Sequence, residues 1–544
     1  MKKFKVLTIG ILLAGMLIGC GKSEKGAAAG KTATATKKIL NIADNAELSS
    51  MDSTLVTDTV SFNAISATTE GLYQLDKNGN VIPGMAESTE VSEDGKIYTF
   101  HLRDAKWSNG QPVTANDFVF AWKRLVDPKT AAEYSYMADI ASIKNVKAIE
   151  KGEKSVSELG IAAIDDKTLK VELEVPIPFF KSLMAFPSFF PIREDFYKKF
   201  GDQYGLTPES VLANGPFKMK TWDQGADYTM EKNKLYYDAD KVKIDGLNFQ
   251  VIKDEQSSVI AFEQGDIDFV KLNGELAEMY KGSPEFRNIP DGGLAYIAVN
   301  EKVPGLENAD LRKAIALSFD KEQIAEKILK NGSIAANFAV TKDLATGPDG
   351  KDFRDGTPEY LVQDKVKARE YYEKAKKELG RDKFTYEFLF NDTESNKEIA
   401  EFLKSELETN LPGMIIELRQ VPFKARVQMV HASQFELGFT AWGPDYADPM
   451  TYLDMWVTDA GNNYGFWSNK EYDQLIYDAS KGIYVNDPAA RWEAMKKAEA
   501  ICLNDAGIIP IYQKGAVGMI KKGVSGIEFH AVGVNTIFKN AVKE

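Results

Sequence analysis

Beyond Asn308 the chain switches repeatedly between two hydrophobic periods, and this alternation constrains the fold more than any other feature. Segments 309–318, 320–329 and 364–379 read as helices with clear start signals. Asp320-Lys321-Glu322-Gln323 is a capping-box arrangement, and Gly380 closes the third helix. Residues 384–390 then read as strand, 399–408 as helix and 414–421 as strand. Asp487-Pro488 opens a further helix as an N-cap and N1 pair. Strands alternating with helices imply an α/β fold.

Inside this half, the run 435–441 places apolar residues at every second position, the period of a strand with one buried face. Trp442-Gly443-Pro444-Asp445-Tyr446-Ala447-Asp448-Pro449 ends it, because proline has no N–H for a ladder and fixes φ. Asp445 is left at the strand end beside Trp442. An unpaired carboxylate in a low-dielectric place is costly and calls for a cation, from the protein or from a ligand. The alternative is ordinary turn chemistry, with the carboxylate accepting from nearby N–H groups. These residues alone leave both readings open.

The first half supplies further elements. Residues 96–103 alternate as a half-exposed strand, Trp107-Ser108-Asn109-Gly110 turns the chain, and Thr114 caps a helix over 115–126 with Asp117 at its third position. Residues 168–175 form another alternating strand. Five phenylalanines follow between Pro176 and Pro191 with Lys181 as their only basic neighbour, which reads as core and not as a stacking platform. Asp266 and Asp268 read as a solvated turn after a helix and not as a catalytic pair.

The formal charge of −13 argues against a nucleic-acid partner. Three scattered histidines make no metal site, and no cofactor or nucleophile fingerprint is complete. Cys502 shares a helix face with Met495 and Ala498 and reads as a buried hydrophobe. A binder that needs no cofactor is expected, and no enzyme. At the start, Lys2, Lys3 and Lys5 precede the apolar run 6–18, which ends in Leu17-Ile18-Gly19-Cys20. This resembles a bacterial lipobox: 1–19 as signal peptide, Cys20 acylated, and 20–39 as a flexible tether. The mature chain is then expected on the outer face of the cell membrane of a Gram-positive-type bacterium, anchored in the bilayer through Cys20.

Several motifs together resemble the extracytoplasmic oligopeptide-binding proteins of ABC importers, in the dipeptide/oligopeptide/nickel-type solute-binding family. They are Glu70-Gly71-Leu72-Tyr73, Pro83-Gly84-Met85-Ala86-Glu87, the run 98–103, the run 107–118, Asn214-Gly215-Pro216-Phe217 and the run 442–449. The resemblance implies a three-lobed periplasmic-binding-protein-like fold: lobe I over 40–69, 197–298 and 515–544, lobe II over 70–196, lobe III over 299–514, hinged around a buried ligand. It implies that Asp445 pairs with the α-ammonium of a peptide. It implies backbone hydrogen bonds from Ala441, Trp442 and Gly443 and from Thr57, Asp58 and Thr59, and that Tyr134 lines the cleft. Its partners would be an oligopeptide and a membrane-embedded ABC permease with cytoplasmic ATPases, the receptor itself being a monomer. Enteric relatives carry an arginine three residues before the tryptophan, where this chain has Phe439. That difference favours longer or hydrophobic peptides. Alternatives on the same scaffold are a dedicated pheromone or haem receptor, and, further off, a nickel binder or an extracellular hydrolase.

Overall fold

Three β-sheets organise the chain in the computed structural model, which describes residues 37–44 and 46–544. The signal peptide, Cys20 and most of the tether lie outside the described residues. A seven-stranded mixed sheet gathers Ile39–Asp44 from the start of the described chain, strands between Phe217 and Ile289, and Ala516–Ile520 from near its end. A four-stranded antiparallel sheet is built from Ala86–Val91, Ile97–Leu102, Thr168–Glu172 and Ile161–Asp165, in that order. The third sheet runs Ile334–Ala335, Ile509–Gln513, Leu294–Val299, Leu437–Trp442, Phe384–Asn391, Met414–Val421. All six residues of Leu294–Val299 are buried, as in a strand covered on both faces.

The helices begin where their caps put them. Thr114 and Asp117 form a reciprocal capping box on Ala115–Val126. Asp364 accepts from the N–H groups of Val366 and Lys367 at the start of Lys365–Leu379, and Asp487 accepts from Ala490 at the start of Pro488–Asn504. One helix differs from expectation. Asp320 caps Lys321–Gln323, but Ile324–Leu329 continues in the wider π register. The phenylalanine-rich run is core: Phe180, Phe186, Phe189 and Phe190 are buried. Cys502 is buried with Met495 and Ala498, and burial pushes its thiol well above the usual range.

Asp268 overturns the solvated-turn reading. It is 4% exposed, accepts from the Asn41 N–H at 2.8 Å and holds Lys543 at 2.7 Å. It joins the first strand to the chain's last residues, a long-range role that its local context does not encode. Asp266 is exposed, as expected.

The chain passes between the seven-stranded and six-stranded sheets through two short connections, 290–293 and 514–515. They lie side by side, with the Lys514 N–H donating to the Gly293 carbonyl at 2.7 Å. Gly515 is required there, because a Cβ would fall 2.1 Å from the Gly332 backbone.

Candidate functional site

The Leu437–Trp442 strand pairs along its whole length with Leu294–Val299 on one side. On the other side it pairs with Phe384–Asn391 only at Leu437 and Gly438. Residues 439–442 therefore face an edge with no strand partner among the described residues. Unpaired N–H and C=O groups on such an edge are a template for an added strand. Side chains alternate across the strand. Phe439 packs in the core against Phe388 and Tyr512. Thr440 points the opposite way and accepts from Arg426 Nη1 at 2.9 Å. Ala441 and Gly443 are exposed, and a Cβ on Gly443 would meet nothing within 4 Å.

Thr451 holds the turn beyond the strand. Its carbonyl accepts from Trp442 Nε1 and its hydroxyl from the Asp445 N–H, both at 3.0 Å. This pose leaves the Asp445 carboxyl with one hydrogen bond, from Tyr136 Oη at 2.9 Å. No lysine or arginine among the described residues pairs with it. Loss of solvent pushes the carboxyl up to about 7, with the Tyr136 hydrogen bond opposing the rise. Asp448, three residues on, is treated differently by the fold: Arg491 grips both of its oxygens at 2.8 Å. A second desolvated carboxyl, Asp454, accepts from Tyr446 Oη at 3.2 Å and is pushed up to about 8.

A cavity of about 810 Å³ opens beside these groups. Glu133, Tyr136, Asp139 and Phe179 line one wall, and His431, Asp454, Tyr464 and Lys481 line the other. The walls touch at several points besides Tyr136–Asp445. Lys481 donates to Asp139 at 2.8 Å, Phe179 stacks on Tyr446 at 4.7 Å, and His431 lies 3.6 Å from Glu133.

Tyr134 reaches the site through its neighbours: its ring is 5.4 Å from that of Tyr136 and 5.2 Å from Phe62 of the Thr59–Thr68 helix. Thr57 and Thr59 are exposed at the start of that helix. The Asp58 side chain is committed to capping, accepting from the Ser61 N–H at 2.8 Å and from the hydroxyls of Ser49 and Ser61. Sequence reasoning missed Tyr136 and Asp454. Tyr136 sits two residues beyond a residue already singled out, but nothing local marks it as the donor to a carboxylate 309 positions away. Among the described residues no three His, Cys, Asp or Glu side chains gather as a metal-holding group.

Known proteins resemble this chain over nearly its full length. The family model for bacterial extracellular solute-binding proteins, family 5 Middle, matches residues 80–464. The dipeptide-binding protein DppE of Bacillus subtilis is 32% identical over 537 residues, covering 98% of this chain and 97% of DppE. The substrate-binding domain of a Bacillus anthracis oligopeptide ABC transporter superposes with a TM-score of 0.88 at 42% identity, covering 94% of this chain and 99% of that one. Listeria monocytogenes OppA bound to peptide superposes at 0.86 with 37% identity, covering 93% and 99%. The α/β architecture described above is thus that of the OppA-type binding proteins, and the chain belongs to the bacterial extracellular solute-binding proteins of family 5.

Proposed function

We propose that this protein captures oligopeptides outside the cytoplasm and delivers them to an ABC permease driven by cytoplasmic ATPases. The observation that carries the reading is Asp445, a desolvated carboxyl with one neutral hydrogen bond and no cation from the described chain. It stands at the end of a strand whose last residues have an unpaired edge. A peptide main chain laid along residues 439–442 satisfies that edge without regard to side chains, and its ammonium supplies the missing charge. The relatives' names, a dipeptide-binding protein and an OppA bound to peptide, support this ligand class. Thr57 and Thr59 offer backbone groups on the far side of the ligand, and Tyr134 backs Tyr136.

The proposed working parts are three lobes built on the three sheets, closing about the paired connections 290–293 and 514–515. The receptor acts as a monomer without a cofactor, held at the outer membrane face through acylated Cys20. Its role is binding and not catalysis. The testing experiment is calorimetry with peptides bearing a free or an acetylated N-terminus, with mass spectrometry of the mixture afterwards. The free forms bind and are recovered intact. Equal binding of both forms removes Asp445 from its role, and cleavage of the peptides replaces the receptor with a hydrolase.

A further inference from the structure

The cavity directs both of its lysines to one carboxylate and leaves another without a cation. Among the described residues its lining carries Lys147 and Lys481 and no arginine. Lys481 pairs with Asp139 at 2.8 Å, and Lys147 pairs with the same residue at 3.3 Å. His431 brings little charge at pH 7, because loss of solvent holds its imidazole below the ordinary value. Asp127 and Asp473, also on the lining, accept from the backbone N–H groups of Lys129 and Thr458. Asp454 has no such partner. Its one hydrogen bond among the described residues comes from the neutral Tyr446 hydroxyl at 3.2 Å. The charges that act on it most, those of Asp445, Asp448 and Asp139, are all negative. A carboxyl so placed favours an arriving cation over water or an apolar group.

Position and surroundings narrow what that cation can be. Tyr446 follows Asp445 in the chain and its hydroxyl reaches Asp454, so one tyrosine side chain separates the two unmatched carboxyls. A peptide anchored by its ammonium at Asp445 advances about 3.3 Å per residue. Its first three side chains therefore pass the carboxyl of Asp454 at a separation that a four-carbon stem can bridge. The same lining is apolar at Ile140, Ile177, Phe179, Met450 and Ile476. A long aliphatic stem with a charged head suits such a wall, because the methylenes cover apolar surface while the head meets the carboxylate.

We propose that Asp454 is a specificity-determining residue that takes the charged head of a lysine or arginine side chain within the first three residues of the bound peptide. The inference rests on the peptide reading above and narrows its ligand class to peptides that are basic near the N-terminus. Asp445 takes the main-chain ammonium, which every free peptide has. Asp454 takes a side-chain cation, which distinguishes one peptide from another.

The test uses the purified full chain and alanine pentapeptides with free N-termini, in which position one, two or three carries lysine or its uncharged counterpart norleucine. At pH 7 and one of these positions, the wild type binds the lysine peptide about tenfold more tightly than the norleucine peptide, the effect of one charge-assisted hydrogen bond. Asp454→Asn abolishes that ratio, and Asp454→Glu keeps part of it. A second measurement needs no variant. Titration calorimetry of the wild type in buffers of different ionisation enthalpy shows the preferred lysine peptide releasing more protons than its norleucine partner, because the arriving cation displaces the proton of Asp454. No lysine preference at any position, a preference that survives Asp454→Asn, or equal proton release by the two peptides would each overturn the role of Asp454 while leaving the peptide reading intact. Failure of every peptide to bind the wild type overturns that reading and this inference with it.

Discussion

Replacing Asp445 with asparagine should move two measurements in opposite directions. In the empty cleft the carboxyl sits at about 7, against 3.8 for an ordinary aspartate. Keeping it ionised at pH 8 therefore costs the folded protein up to about 4 kcal/mol, less for the part of the group that water still reaches. Because the folded value is raised, the sign is fixed: the cost is absent below about pH 4, grows between 4 and 7, and is level above 7. Asparagine fills the same space without a charge, so the empty variant should unfold at higher urea than the wild type at pH 8 and lose that advantage at pH 4. Binding should shift the other way. Removing one partner of a buried charge pair costs about 2–5 kcal/mol, or roughly 30-fold to several thousandfold in Kd. The loss should fall on a tetrapeptide with a free N-terminus and spare its N-acetyl form. Titration calorimetry and urea unfolding read the two effects. Equal losses for both peptides, or an empty variant less stable than wild type at pH 8, refutes the reasoning.

The same carboxyl makes binding pH-dependent. Affinity for free N-terminal peptides should peak between about pH 7 and 8: below pH 7 it falls by up to about tenfold per pH unit as the empty site takes up a proton that the ligand must displace, and above pH 8 it falls as the ligand's own α-amino group loses its charge. Asp454, at about 8, broadens the profile, and calorimetry at pH 6 in buffers of different ionisation enthalpy should detect the released proton. Arg491→Gln should destabilise the fold by about 3–5 kcal/mol in urea unfolding, because it leaves Asp448 buried without its cation. Cys20→Ala should move the protein from the membrane fraction to the medium, and persistence in the membrane fraction contradicts lipid anchoring.

Much of the scaffold was legible because its signals are local. A capping residue and the N–H groups it satisfies lie within three positions, which is why the caps at Thr114, Asp364 and Asp487 hold in the structure. Alternation in 435–441 likewise reports the sheet face of a strand without knowledge of its neighbours. The missed features depend on partners far along the chain. Asp268 looks like turn chemistry until Lys543 arrives 275 residues later. Arg426 looks like an ordinary surface arginine on a short helix until the Thr440 hydroxyl, 14 positions on, accepts from it. The contrast is sharpest within one octapeptide. Asp445 and Asp448 occupy the same proline-punctuated turn, and no local rule ranks one above the other as a ligand group. Arg491, 43 positions beyond Asp448, makes the distinction by pairing with one and not the other.

That selective pairing bears on how the proposed closure would work. Four contacts lie at or beside the cavity: Tyr136–Asp445, Lys481–Asp139, His431–Glu133 and the Phe179–Tyr446 stack. The Lys481 and Glu133 contacts are partly exposed to water, and such pairs contribute about 1 kcal/mol or less each. The Tyr136 contact presses a neutral hydroxyl onto a carboxylate that has already lost solvent. Closing an empty cleft therefore gains little from the walls and adds the cost of desolvating Asp445. A ligand changes this balance only through interactions that are stronger in the closed state than in the open one. An ammonium on Asp445 meets that condition, because it cancels a cost that closure itself imposes. The unmatched carboxyl thereby couples recognition to closure: a peptide that leaves it bare should bind mainly the open form, and one that brings an ammonium to it should hold the cleft shut.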